Sequence, residues 1–476
     1  MKNTHLLLLL LVGMLFFSCK KQALVNEWVS STYTNQWQTM IQTEETTSTP
    51  GIAVRINTKN TRHRIEGFGA CFNELGWNSL GKLSQSDRDF ILKELFAPVI
   101  GANFTVCRLP IGANDFSIDW YSYDEVEGDF KLQHFSIEND EQTLIPFIKA
   151  ALSQNPSIKL WSSPWSPPTW MKRNKHYAMR TPNPNWESAT NGLPEDRQGR
   201  EGTDMFIMDD RYLQTYASYF GKYIDEYKMK GIDISMVMPQ NEFNSDQIFP
   251  SCCWTAAGLT RFIHFLGPEM EKRNVDLYFG TMERANSALV DSVLTDSLAG
   301  RYIKGVGFQW AGKDALPVVH QKYPNLALYQ TEQECGDGQN DWKGACHSWE
   351  LMKHYLRNGV QTYEYWNISL EKGGISRWGW RQNSLVVVDD STKTYHFTPE
   401  YYLMKHISHY VQPGALFLQI NEDSYHDALA FVNPDKSVIV VAANQTDQPI
   451  EIQLEIDGKS EQVKMQPQSF HTWTCK

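Results

Sequence analysis

The chain has 476 residues, 41% hydrophobic and 21% charged, which suits a folded protein able to bury a large core. Its formal charge of −11 supplies no general excess of cations for phosphates, and this excludes a nucleic-acid partner as the default reading. The aromatic load is heavy, with 16 Trp, 21 Tyr and 23 Phe, and such rings pack against sugar C–H faces as readily as they fill a core.

The first segment reads as an export signal. Lys2 precedes the apolar run 6–17, broken only by Gly13 and too short to cross a hydrocarbon layer of ~30 Å as a helix. The run ends at Phe17-Ser18-Cys19, a small residue before a cysteine, which resembles a bacterial lipoprotein signal. That resemblance implies cleavage before Cys19, lipidation there, and an exported protein anchored to a membrane and facing the periplasm or the cell surface. A plain secretory signal with an incidental Cys19 is the alternative. Residues 20–50, rich in Ser, Thr and Gln with few apolar anchors, read as a tether.

From residue 64 to about 410, strand-like and helix-like stretches alternate, as in a parallel α/β fold. Strands are expected at 64–71, 104–110, 158–163, 234–240, 277–282, 303–310, 326–331 and 362–367. Amphipathic stretches lie between many of them, at 84–96, 212–228 and 255–272 among others. Eight strands with crossover helices predict a (β/α)8 TIM barrel over an open sheet. After Pro413-Gly414 the pattern becomes alternation at 428–432, 437–442 and 450–456, with turns at Asn433-Pro434-Asp435-Lys436 and Asp457-Gly458. That predicts an accessory antiparallel β-sandwich over 411–476, to which 51–66 lends a strand because 52–56 alternates in the same way. Beyond Cys19 seven cysteines remain; Cys335 and Cys346 fall in one loop and could pair. No His/Cys cluster has zinc spacing, so neither a metal nor an organic cofactor is expected.

In a barrel, chemistry sits where strands end at the C-terminal face. The fourth strand runs into Gln240-Asn241-Glu242 and the seventh into Thr331-Glu332. Glu242 and Glu332 would therefore face each other across one mouth. Glycoside hydrolysis needs such a pair, one to protonate the leaving oxygen and one carboxylate on the opposite face of the sugar. Asn241 is placed to hold the sugar 2-hydroxyl.

Longer motifs add a family. Gly67-Phe68-Gly69-Ala70, Arg108-Leu109-Pro110, Asn114-Asp115-Phe116-Ser117 and Ser163-Pro164-Trp165-Ser166-Pro167-Pro168-Thr169-Trp170-Met171-Lys172 stand on the first three strands and their loops. With Gln240-Asn241-Glu242, Thr331-Glu332, Trp366-Asn367 and Gly373-Gly374, they resemble glycoside hydrolase family 30, the glucosylceramidase-like group, over roughly residues 50 to 476. The resemblance implies a barrel fused to a sandwich built from both chain ends, Glu242 as acid/base and Glu332 as nucleophile. It also implies Arg108 beside the nucleophile, and Asp115, Trp165 and Trp366 on the glycone. Glu334 is an alternative nucleophile, since Thr331-Glu332-Gln333-Glu334-Cys335 carries one residue more than the family's Thr-Glu-x-Cys, and strand alternation would point both glutamates the same way.

Two departures bear on substrate. Gly307-Phe308-Gln309-Trp310 stands where the family often has His and Tyr, and the Trp310 indole donates but cannot accept. After Gly373-Gly374 comes Ile375-Ser376-Arg377-Trp378, and Arg377 near the glycone would favour a different sugar or an anionic branch. The expected function is a retaining β-glycosidase acting on β-linked glucosides or related glycans, glycosylceramide among them. Within the same family, xylose, fucose, galactose or β-1,6-glucan are alternative specificities. A glycan-binding surface lipoprotein without activity is the rival of another class.

Overall fold

The computed structural model describes residues 24–34, 36–40, 51–184, 187 and 190–475. The signal segment with Cys19 lies outside the described residues. Eight parallel strands close the barrel: β1 (Gly67–Cys71), β2 (Val106–Pro110), β3 (Lys159–Ser163), β4 (Ile234–Val237), β5 (Asp276–Met282), β6 (Ile303–Phe308), β7 (Ala327–Gln330) and β8 (Thr362–Asn367). Each pairs with its sequence neighbour, and β8 pairs with β1 to complete the circle. Several strands stop earlier than the apolar runs suggest. β4 ends at Val237, just before Met238-Pro239, where proline has no N–H for a ladder. β6 ends at Phe308, ahead of Trp310, whose backbone is left-handed (φ 46°).

The outer helices start where their sequences supply a cap. Ser84 accepts from the Asp87 N–H to open Gln85–Phe96, and Thr255 accepts from the Gly258 N–H to open Ala256–Arg273. The latter helix stops at Asn274 in a left-handed conformation. Inside the barrel, Val106, Trp161, Met236, Met238, Tyr278 and Tyr329 form a closed apolar cluster. The Trp161 indole donates to Glu364 Oε1 of β8 at 2.7 Å, so the barrel is plugged and the site rests on that plug.

A nine-stranded sheet forms the second domain, in the order Lys459–Met465, Ile450–Ile456, Ala53–Arg64, Leu416–Ile420, Ala428–Val432, Val438–Asn444, Ser469–Cys475, Val25–Thr32 and Gln38–Thr39. It is not purely antiparallel: Ala53–Arg64 runs parallel to Ile450–Ile456. Arg64 therefore belongs to this sheet and not to the first barrel strand. Period-two alternation attaches the domains. In Val438–Asn444, Ile439, Val441 and Ala443 join the barrel's core, whereas Val438, Val440 and Ala442 face the sandwich interior with Leu454, Met465 and Trp473.

The tether expected over 20–50 is corrected where the structure describes it. Val25–Thr32 is a strand paired along Ser469–Cys475, with Trp28 opposite Trp473 and the Trp28 indole donating to His471 Nδ1 at 2.9 Å. Few apolar residues suffice here, because a full ladder and one buried Trp do the anchoring. A further sheet, Ser369–Glu371, Val386–Asp389 and Thr394–Phe397, follows β8 and leads into helix Pro399–Ser408. Cys335 and Cys346 are not bonded to each other; all seven described cysteines are free.

Candidate active site

Arg108 of β2 is completely buried and organises the centre. Its Nη1 donates to Glu332 Oε2 at 2.9 Å and to the Thr331 carbonyl at 3.2 Å. Its Nη2 donates to Asn241 Oδ1 at 2.7 Å and to Ser163 Oγ at 2.8 Å. The guanidinium also lies over Trp165 (4.4 Å to the ring centroid) and Trp161 (5.0 Å), aromatic faces that accommodate a buried cation. A residue from the second strand thus ties together groups carried by β3, β4 and β7.

Gln309, the first residue after β6, joins the two glutamates. Its Nε2 lies 3.0 Å from Glu242 Oε1 and 3.1 Å from Glu332 Oε2. Those oxygens are therefore at most 6.1 Å apart, the sum of the two distances. Thr331 Oγ1 donates to Gln309 Oε1 at 2.8 Å and fixes which end of the amide faces the carboxylates.

Glu242 adopts a left-handed backbone (φ 43°), which costs an ordinary residue roughly 1–2 kcal/mol. The surroundings hold it there: its N–H donates to Thr281 Oγ1 at 2.8 Å, and its carbonyl accepts from the Ser245 N–H at 2.9 Å. Asn241 Oδ1 accepts from Arg108, Gln309 and Thr281. With that oxygen saturated, its amide nitrogen is the end left for a substrate hydroxyl. Glu283, directly after β5, accepts from the Asn244 N–H at 2.8 Å and from Ser245 Oγ at 3.1 Å.

Of these groups Asn241, Glu242, Glu283 and Glu332 line a cavity of about 320 Å³, with Asp115, Trp165, Trp310, Trp380 and Gln382. Burial raises the pKa of every carboxyl in it. Glu332 is pushed up to about 7 by desolvation, with Arg108 pulling it back and Glu242 adding to the rise. Desolvation likewise raises Glu242, which receives the Gln309 amide but no direct cation. When the pair holds one proton it therefore resides on Glu242, because Glu332 has the guanidinium at contact distance. Asp115 is raised by burial and by both glutamates.

The other residues singled out from sequence divide. Trp310 donates to Glu332 Oε1 at 3.4 Å, the donor role open to an indole. Trp165 lines the cavity, but Trp366 is fully buried and stacks on it at 5.3 Å, which makes it a backing and not part of the lining. Arg377 is also outside the lining; it is exposed, 3.8 Å from Asp119. Glu334 turns away from Glu332, bonded to Lys313 at 2.8 Å and to His347 at 3.2 Å. β7 has ended at Gln330, so strand alternation does not govern these two positions. Gln309, Thr281, Glu283 and Trp380 were not among the sequence candidates. Gln309 and Glu283 each follow a barrel strand directly, and Glu332 stands two residues past the end of β7.

A closed (β/α)8 barrel with two buried carboxyls facing one aromatic-lined cavity is the arrangement of a carbohydrate-cleaving hydrolase. Residues 65–411 match the glycosyl hydrolase family 30 TIM-barrel domain and residues 417–473 the family's beta sandwich domain. The chain belongs to glycosyl hydrolase family 30 and is a β-glycosidase. It is 25% identical to the lysosomal acid glucosylceramidase of Mus musculus over 426 residues, 84% of this chain and 78% of that protein. It is 26% identical to the endo-1,6-beta-D-glucanase neg1 of Aspergillus fumigatus, covering 83% of this chain and 82% of that one. Among solved structures, SrfJ of Salmonella typhimurium shares the fold with a TM-score of 0.80 at 21% identity, over 94% of this chain and 99% of that one.

Proposed function

We propose that the enzyme cleaves β-linked glucosides with retention of anomeric configuration, Glu332 acting as nucleophile and Glu242 as acid/base. The observation that carries this reading is the single Gln309 amide nitrogen within 3.1 Å of both carboxyls. It keeps one oxygen of each carboxyl within 6.1 Å of the other, which supports the closely spaced carboxyls of a retaining site. Glu332, fixed by Arg108 and Trp310, attacks the anomeric carbon as the carboxylate. Glu242, poorer in cationic contacts, delivers its proton to the leaving oxygen and then takes one from water. Asn241 Nδ2 donates to the sugar 2-hydroxyl, and Asp115 and Trp165 hold the ring.

β-Linked glucose is favoured because the relatives named for glucosylceramide and for β-1,6-glucan share that glycone. A cavity with Trp165, Trp310 and Trp380 in its lining suits a glycan. The test is hydrolysis of aryl β-glucosides and β-1,6-glucan by wild type, Glu242→Gln and Glu332→Gln. Both variants are expected to lose several orders of magnitude. Near-full activity in Glu332→Gln would contradict the assignment, and wild type that binds glycan but cleaves none would contradict the hydrolytic reading.

The reading extends to location. The charged start, the apolar run and Ser18-Cys19 support export and a lipid anchor on Cys19. Cys19→Ala is expected to move the protein from the membrane fraction to the soluble one; unchanged fractionation would sink the anchor.

A further inference from the structure

Besides Asp115, Glu242 and Glu332, a fourth carboxyl, Glu283, stands in the cavity lining. Glu283 is 1% exposed, lines the cavity, and has one oxygen, Oε2, with no hydrogen-bond partner among the described residues. Its other oxygen is fully used: Oε1 accepts from the Asn244 N–H and from Ser245 Oγ. These are residues of the turn 242–245, the segment that holds Glu242 in its left-handed backbone and is closed by the Ser245 N–H on the Glu242 carbonyl. Glu283 is itself held from the other side. The Gln309 N–H donates to the Met282 carbonyl at 2.9 Å, and Gly312 lets its loop press on that carbonyl, where a Cβ would come within 1.9 Å.

We propose that Glu283 is a positioning residue for the acid/base, a neutral carboxylic acid whose Oε1 clamps the turn carrying Glu242. The inference rests on the reading of Glu242 given above. Neutrality follows from the surroundings. The groups facing Glu283 are Glu242 at the end of β4, Cys253 on the next loop, and Arg284. The one cation among them, Arg284, stands 3.8 Å from Oε1 and is bonded to Glu201 at 3.0 Å and 3.1 Å, with Asp246 also drawing on its charge. An ionised Glu283 would add a second buried negative charge to the Glu242–Glu332 pair, with its one cation already shared. Burial, then Glu242, push it up to about 8. A proton on Oε2 leaves Oε1 to accept, so the clamp persists while Glu242 titrates.

The experiment compares Glu283→Gln and Glu283→Ala with wild type on an alkyl β-glucoside and on a 2,4-dinitrophenyl β-glucoside, with pH profiles of kcat/KM. The first leaving group needs protonation and the second does not. Glu283→Ala is expected to lose about tenfold or more of kcat on the alkyl substrate, part of the ~10²–10⁴ that a general acid supplies, and little on the activated one. Glu283→Gln, which keeps the acceptor without a charge, is expected to stay within about threefold on both, its alkaline limb unmoved. The inference is overturned if Glu283→Ala matches wild type on the alkyl substrate or loses equally on both substrates. It is also overturned if the alkaline limb of Glu283→Gln moves to lower pH, the sign that a negative charge had been raising the Glu242 pKa. Glu242→Gln run in parallel tests the underlying reading: if it shows no leaving-group dependence, the acid assignment fails whatever the Glu283 variants do.

Discussion

Arg108 decides which of two nearly equivalent glutamates carries the charge. It contacts Glu332 at 2.9 Å and reaches Glu242 only through Asn241 and Gln309. Arg108→Met is therefore expected to raise the Glu332 pKa beyond its already elevated value of about 7. The acid limb of kcat/KM then moves to higher pH, and the rate at neutral pH falls on the order of 10²-fold, the loss typical of one preorganised donor at a charged centre. An unmoved acid limb in a pH–rate series would refute this. Glu242 and Glu332 were legible in sequence because each closes or follows an apolar run. Gln309 was visible only as a departure from a family pattern, since a lone glutamine after a strand says nothing until the barrel brings Glu242 and Glu332 to either side of it. Arg377 differs: its cation suggested a glycone contact, but its side chain is exposed beside Asp119 and outside the cavity lining.

Elements with their own local signals were readable, and those that borrow stability from a distant partner were not. The helix opened by Thr255 announces itself by its cap and apolar period. Thr255→Ala is expected to cost about 1 kcal/mol, read as a lower denaturation midpoint. Val25–Thr32 has no such signal; its order comes from pairing with Ser469–Cys475, hundreds of residues away. Trp28→Ala, removing a 7% exposed ring between His471 and Trp473, is expected to destabilise the sandwich by about 3–5 kcal/mol. Activity of the folded fraction should be unchanged, because Trp28 is remote from the cavity lining. Wild-type stability by chemical denaturation would show that this stretch is a tether after all.

At the scale of the molecule, a plugged barrel carries many buried acids and is stabilised by keeping them protonated. Glu364 and Glu283 are pushed up to about 8 and Glu400 to about 7, with burial the largest cause in each. A raised carboxyl pKa contributes stability that is present below its unfolded value of ~4.3 and is lost as pH rises through the folded value. Buried His63, His406 and His471, lowered by desolvation, add stability as pH rises to about 6.5, so the thermal midpoint is expected to fall between about pH 6.5 and 8. Glu364→Gln, which still accepts from Trp161, should flatten that slope; an equal slope in the variant would contradict the account. The barrel was legible as eight spaced apolar runs, and the sandwich as a change of period after residue 414. The central claim is that Glu332 forms the covalent bond. Incubation with a 2-deoxy-2-fluoro-β-glucosyl donor bearing a dinitrophenyl leaving group, followed by peptide mass spectrometry, tests it most directly. The account predicts a single fluoroglucosyl adduct on Glu332; an adduct on Glu334, or turnover with inverted product and no adduct, would contradict it.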